Sequence, residues 1–209
     1  MTLSRCIHTW RSASLTVVGS RLESGVSQHG AVERLGRWLF RWRGLIGSVG
    51  FVVVFWLGRP GFVSCLVGLP LLAAGLALRF WAMGYIGADA RAGEVGAQSY
   101  IGAGPYRWFK LSARASAGHP LYFGNLLLVL GTLVCFRPPV LLGLVVVGLF
   151  LFEYLAIARA EERFLNREFR GVARQDLRFA ARRAAPEWRA IVTVAVVYGL
   201  AWLRVLARL

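Results

Sequence analysis

The sequence predicts an all-α fold, a polytopic membrane helical bundle, on three observations. Apolar residues make up 57% of its 209 residues and charged residues only 17%, against about 25% in ordinary soluble domains. Uncharged runs recur at close to the ~20 residues that cross a hydrocarbon core about 30 Å thick. Compact turns, Arg59-Pro60-Gly61 and Arg137-Pro138-Pro139, separate the runs. The formal charge is +15, from 25 basic and 10 acidic residues. This composition excludes a disordered chain, which lacks such apolar content. It also excludes a soluble nucleic-acid binder, because the basic residues alternate with long uncharged stretches. Lys110 is the only lysine, an arginine skew that reads as genomic composition and carries no functional weight.

Four transmembrane helices are expected, with a fifth candidate at the C-terminus. The first runs from Gly44 to Gly58, with Trp42 and Trp56 as interfacial anchors, and borrows Phe40 to Arg43, whose arginines can snorkel outward. The second runs from about Phe62 to Ile86 and contains Arg79. The third begins near Pro120 and ends at Phe136. The fourth covers Val140 to about Ala158 and contains Glu153. The fifth candidate, Ala190 to Leu203, either spans or lies along the surface. Residues 1–35 read as a disordered Ser/Arg-rich extension, 36–186 as the membrane core and 187–209 as a membrane or interfacial helix.

Charge sets the expected topology. Seven arginines lie in residues 1–43, four basic residues in 87–119 and nine in 158–189. Alternate threading puts all of these on one side. The other side holds Arg59 and Arg137, joined by Arg204 and Arg208 if the fifth helix spans. Positive charge is retained in the cytoplasm, so the N-terminus is expected there. The arginines from 159 to 189 are expected to meet anionic lipid head groups.

Ionisable residues inside spans are costly and mark function or a clamp. Arg79 and Glu153 lie at comparable depth with opposite sign, which predicts an ion pair between them. Folding the sequence about Arg137-Pro138 sets His119 beside residues near 156. Gly104-Pro105-Tyr106-Arg107, His119-Pro120, Tyr122 and the Glu161-Glu162 pair then gather at one membrane rim. Such a rim suits a charged, water-soluble cofactor meeting a lipid-embedded substrate. Cys6, Cys65 and Cys135 have no metal-ligand spacing, and no metal is expected. Cys65 and Cys135 fall near the same membrane face, where a disulfide is geometrically open to them; two buried thiols are the favoured reading.

In order along the chain, Gly104-Pro105-Tyr106-Arg107, His119-Pro120-Leu121-Tyr122-Phe123-Gly124-Asn125 and Glu161-Glu162 with Phe164-Leu165 resemble the isoprenylcysteine carboxyl methyltransferase family. That family shares its pattern with membrane phospholipid N-methyltransferases. The resemblance covers roughly residues 36 to 186. It implies an S-adenosylmethionine-dependent methyltransferase, with the cofactor at the cytoplasmic end of the last core spans. The implied cofactor-binding residues are Gly104, Pro105, Tyr106, Arg107, Lys110, His119, Pro120, Tyr122, Gly124, Asn125, Glu161 and Glu162. Of these, Arg107, His119 and Glu162 are the implied catalytic residues. Arg107 would hold the cofactor carboxylate by a bidentate contact. Glu161 or Glu162 would take its ammonium or ribose hydroxyls, and Tyr106 and Tyr122 would face its sulfonium.

Two departures from the pattern matter. The family places its histidine seven residues after the glycine of GPYR, whereas Gly104 to His119 is fifteen. Residues 111–118 therefore read as an insertion, either extruded as a passive loop or displacing His119 and abolishing activity. Lys110 stands where the family has arginine. Beyond the acidic pair, Ala173 and Asp176 replace expected tyrosines, and Ala185-Pro186 replaces Val-Pro. The resemblance implies a lipophilic acceptor entering from the bilayer. A bacterial inner membrane, which the composition suggests, would favour a small thiol, amine or lipid carboxylate. The alternative is a catalytically inactive scaffold or lipid-binding protein that keeps the fold.

Overall fold

The computed structural model describes residues 31–86, 104–109, 118–168 and 178–207. Among these residues five α-helices follow one another: α1 (Ala31–Leu57), α2 (Phe62–Ile86), α3 (Pro120–Phe136), α4 (Val140–Glu168) and α5 (Trp188–Leu206). A 3₁₀ turn at Gly104–Arg107 precedes α3, and another at Ala181–Glu187 leads into α5. No strand occurs among the described residues.

The helix ends follow from local chemistry. The Gly58 N–H closes α1 by donating to the Val54 carbonyl at 2.8 Å, and Pro60 cannot prolong the helix. Ser64 secures the start of α2. Its hydroxyl accepts the Gly61 N–H at 2.9 Å and donates to the Cys135 carbonyl at 2.9 Å, tying α2 to the end of α3. Pro120 occupies the first turn of α3, where a missing N–H costs nothing. Arg137 closes α3 in the left-handed conformation, φ 45°, with its N–H on the Leu133 carbonyl at 2.9 Å. Pro138-Pro139 then turns the chain into α4.

The tightest seam joins α2 to α3, which run antiparallel with Gly68 against Gly131 and Cys135, and Gly75 against Gly124 and Leu128. Without side chains at these positions the two backbones approach closely, the usual basis of helix association in lipid. A Cβ on Gly68 would lie 2.3 Å from the Cys135 sulfur and 2.8 Å from the Gly131 carbonyl oxygen. Gly68→Ala is therefore expected to cost about 1–3 kcal/mol through overpacking. Gly148→Ala, with nothing within 4 Å of the added carbon, should leave stability unchanged or higher. Thermal unfolding of the two variants in detergent checks the pair.

The second seam joins α1 to α4, and α5 leans on α2 and α3. At the Arg137 end, Val54, Leu72, Cys135, Phe136, Ala201 and Val205 form one buried cluster, with Phe51 and Phe55 packed against it. Arg204 of α5 donates to the Phe55 carbonyl at the end of α1 and lies over the Phe55 ring, 5.1 Å from its centroid. Cys65 and Cys135 are free, buried thiols, with the Cys135 sulfur 4.0 Å from the Cys65 carbonyl.

Among the described residues, three segments are long and apolar enough to cross a membrane: Phe62–Ile86, Val140–Arg159 and Ala181–Leu206. These are compatible with an integral membrane protein. The expected set of four spans plus a doubtful fifth is thereby redistributed. The C-terminal segment meets the requirement with the 19 residues of α5 itself, and the 3₁₀ turn extends it backward to residue 181. The α3 helix has 17 residues, about 26 Å at the helical rise. In α1 the uncharged stretch starts only after Arg43, so its 27 residues do not supply a full apolar length.

Candidate functional site at the His119 end

Five elements converge at the end of the bundle opposite Arg137. The two halves of the GPYR…HP pattern are joined by their backbones. The His119 N–H donates to the Phe109 carbonyl at 2.7 Å, across the sequence interval that separates them. Gly118 lies so close to this turn that an added Cβ would sit 2.2 Å from the Tyr106 carbonyl oxygen. Gly104 begins the turn at φ +57°, a conformation glycine adopts without penalty, with the Tyr85 ring against it. Phe109 packs on Phe123 of α3, centroids 5.3 Å apart.

Lys110 and residues 111–117 lie outside the described residues, as does the Phe169–Leu177 stretch with the departures at Ala173 and Asp176. The flanks of the insertion nevertheless meet. Excising residues 111–117 is expected to keep the helices folded and leave the midpoint of thermal unfolding within a few degrees. Collapse of the fold on excision, read by circular dichroism, would make the segment structural.

Tyr106 and Pro105 are buried, Tyr106 to 1% exposure, in a cluster with Ala82, Met83, Leu121 and Ala184. This apolar packing does not suit the sulfonium-facing role expected of Tyr106. Arg107 is exposed on the same turn. His119 is buried and its ring stacks on Tyr122, centroids 5.1 Å apart and planes 3° from parallel. Tyr122 meets Tyr154 edge-on at 4.7 Å, and Tyr154 stacks on Phe150 at 4.2 Å. Tyr122 also packs with Ala156, Ile157 and Ala158; its contact with Tyr154 is within a residue of the position that folding the hairpin about Arg137-Pro138 sets opposite it. The α4 helix continues through Glu161 and Glu162, whose side chains lie outside the described residues.

The expected Arg79–Glu153 pair is corrected. Arg79 instead pairs with Glu187: Nε donates to Oε2 at 2.9 Å and Nη2 to Oε1 at 3.3 Å. Nη1 donates to Asn125 Oδ1, and Asn125 Nδ2 donates to the Tyr154 hydroxyl at 2.7 Å. Arg79, Asn125 and Tyr154 thus share one level of the bundle, so the expected depth of Arg79 relative to α4 holds. Azimuth decides the partner. Glu153 is one residue, about 100° of helix, away from Tyr154. Gly124 makes room for the arginine: a Cβ there would lie 2.7 Å from Arg79 Cγ.

Glu187 was invisible to motif reasoning because it stands 108 residues from Arg79. Its available signal was an acid between Pro186 and Trp188 in an otherwise basic stretch. The preceding segment is docked by the Ala180 N–H on the Gly84 carbonyl at 2.9 Å and by Arg183 on the Tyr85 carbonyl at 3.3 Å. Ala184 is buried in the Tyr106 cluster.

The arrangement provides an exposed guanidinium at Arg107, a stacked His–Tyr pair, and a polar chain from Glu187 through Arg79 and Asn125 to Tyr154. No family model, curated protein or solved structure matches the chain.

Proposed function

We propose that this chain is an integral membrane S-adenosylmethionine-dependent methyltransferase acting on a lipophilic or small acceptor at the cytoplasmic face. In this reading all five helices cross the membrane, α3 by local thinning of the bilayer and α1 by snorkelling of Arg41 and Arg43. The N-terminus is cytoplasmic, in a bacterial inner membrane. The resemblance of the GPYR, His-Pro and Glu-Glu segments supplies the reaction class. The observation that carries it is the 2.7 Å bond from the His119 N–H to the Phe109 carbonyl, which keeps the two halves of the motif together despite the insertion.

The donor set suits this cofactor in part. Arg107 is free of packing and offers a forked donor to a carboxylate. Tyr122 and His119 offer aromatic faces to a cationic centre. Glu161 and Glu162 follow on α4 as acids for an ammonium or ribose hydroxyls, and Lys110 follows Phe109 in sequence as a second cation of the motif. Pro105, Gly104, Pro120 and Gly124 act through backbone shape, and Tyr106 through packing. Asn125 holds helices together. When bound, the cofactor supplies an electrophilic methyl group. The chain's own part is to orient, which in an in-line displacement accounts for up to ~7–11 kcal/mol of the barrier. Arg107 fixes one end of the cofactor while the packed Tyr106 cluster keeps the turn rigid and excludes water from beneath it. The acceptor arrives sideways from the lipid.

Titration calorimetry of S-adenosylmethionine on the detergent-solubilised protein tests this reading. Binding is expected, and Glu162→Ala and His119→Ala should each weaken it more than tenfold. Unchanged binding in both variants overturns the pocket assignment. A second reading, a scaffold or lipid-binding protein, is favoured by one observation: Arg79, Asn125, Tyr154 and Glu187 satisfy one another. Absence of any cofactor binding makes that reading the better one.

A further inference from the structure

Cys65 lies in the first turn of α2 and Cys135 in the last turn of α3, at the Arg137 end of the bundle. Both are buried, and neither is bonded to another cysteine. The antiparallel register of the α2–α3 seam sets them opposite one another. Gly75 faces Gly124 and Leu128, Leu72 faces Gly131, and Gly68 faces Gly131 and Cys135. One turn further, Cys65 meets Cys135. The Cys135 sulfur is 4.0 Å from the Cys65 carbonyl oxygen, and the Ser64 hydroxyl donates to the Cys135 carbonyl at 2.9 Å. The two thiols lie within hydrogen-bonding reach of each other. A disulfide needs α-carbons about 4.4–6.8 Å apart, a separation that a seam lined by glycine permits. Ala201 and Val205 of α5 belong to the same buried cluster, and the Tyr198 hydroxyl donates to the Cys65 carbonyl at 3.4 Å. The last helix therefore covers the pair.

We propose that Cys65 and Cys135 are a dithiol that closes to an interhelix disulfide, the structure describing its reduced form. The oxidant is a disulfide-bearing thiol oxidant. One cysteine, as thiolate, attacks a sulfur of that disulfide and expels the other sulfur as a thiolate. The second cysteine thiolate then attacks the cysteine sulfur of the mixed disulfide, forming the Cys65–Cys135 bond and expelling the oxidant's remaining thiolate. Two electrons pass to the oxidant, and the two protons given up by the cysteines end on its thiols. Because α5 lies over both sulfurs, closure proceeds through local opening of that helix and is slower than at an exposed dithiol. Closure fastens α2 to α3 across 70 residues of chain, at the end remote from His119, and stabilises the fold by constraining the unfolded state. The source of the oxidant rests on the proposed threading: with a cytoplasmic N-terminus, the Arg137 end faces an oxidising compartment. The pairing of the two thiols does not depend on that threading or on cofactor binding.

The experiment counts thiols in the full-length chain, which contains three cysteines. One sample is taken directly from membranes and alkylated with N-ethylmaleimide under denaturing conditions. A second is purified in detergent, reduced, and treated with diamide before the same alkylation. After diamide, Cys65 and Cys135 are expected to escape alkylation and to appear in one cross-linked peptide, with a midpoint of thermal unfolding several degrees above that of the reduced chain. Cys6→Ser should leave this result unchanged, and Cys135→Ser should abolish it. Alkylation of all three cysteines after diamide overturns the proposal, as does a cross-link through Cys6. A disulfide already present in the membrane sample supports both the pair and the threading. A pair that is reduced in the membrane sample yet closes with diamide supports the proposal and counts against the threading.

Discussion

Glu187→Ala is expected to lower stability by about 3–5 kcal/mol, the cost of leaving a buried charge without its partner. The Glu187 side chain is 2% exposed and that of Arg79 13%, so neither can recover much hydration in place. Arg79→Leu alone should be similarly damaging, because it strands Glu187 and removes the donor to Asn125. The double variant Arg79→Leu with Glu187→Leu should be tolerated better than either single one, since apolar replacements of a buried pair are often neutral. Thermal unfolding in detergent measures all three. Additive losses in the double variant would mean that the two residues act separately.

Asn125→Leu should cost about 2–4 kcal/mol, the sum of one hydrogen bond from a charged donor and one neutral bond. The amide links three helices, accepting from Arg79 of α2 and donating to Tyr154 of α4 from its own place on α3. A residue that only touched cofactor would behave differently on substitution: affinity would fall and the unfolding midpoint would stay. For Asn125 the midpoint is expected to fall in the absence of any ligand. Tyr154→Phe, which removes only the hydroxyl, should lose about 1 kcal/mol and is the graded control.

Much of the helical layout was legible in the chain. Phe62–Ile86 and the Val140 start of α4 follow from apolar runs bounded by Arg-Pro turns, and the hairpin register that brings Tyr122 to Tyr154 follows from the turn position alone. The C-terminal helix was half-legible, because Glu187 and Arg189 interrupt its apolar pattern although its 3₁₀ entrance continues the segment. The ion-pair partner of Arg79 was not legible. Depth can be counted along a helix, but which of several acids turns toward an arginine depends on how helices are rotated, and Glu153 and Tyr154 differ by a single residue. The structural use of Asn125 was hidden for the same reason: the resemblance gave it a ligand, while its neighbours in space gave it two protein partners. The burial of Tyr106 likewise depends on Ala184, which arrives from far along the chain.

The 108-residue separation between Arg79 and Glu187 has a consequence for biogenesis. Chains are synthesised at about 5–20 residues per second, so Arg79 waits roughly 5–20 s after leaving the ribosome's catalytic centre before its carboxylate has been made. During that interval α2 must hold its charge with Asn125, made 46 residues later, but without its carboxylate partner. The Arg79 pair is therefore closed only when the last helix arrives. A ribosome that stops before Glu187 leaves an intermediate with an uncompensated arginine inside the membrane, the kind of defect that a membrane protease or insertase can recognise and remove.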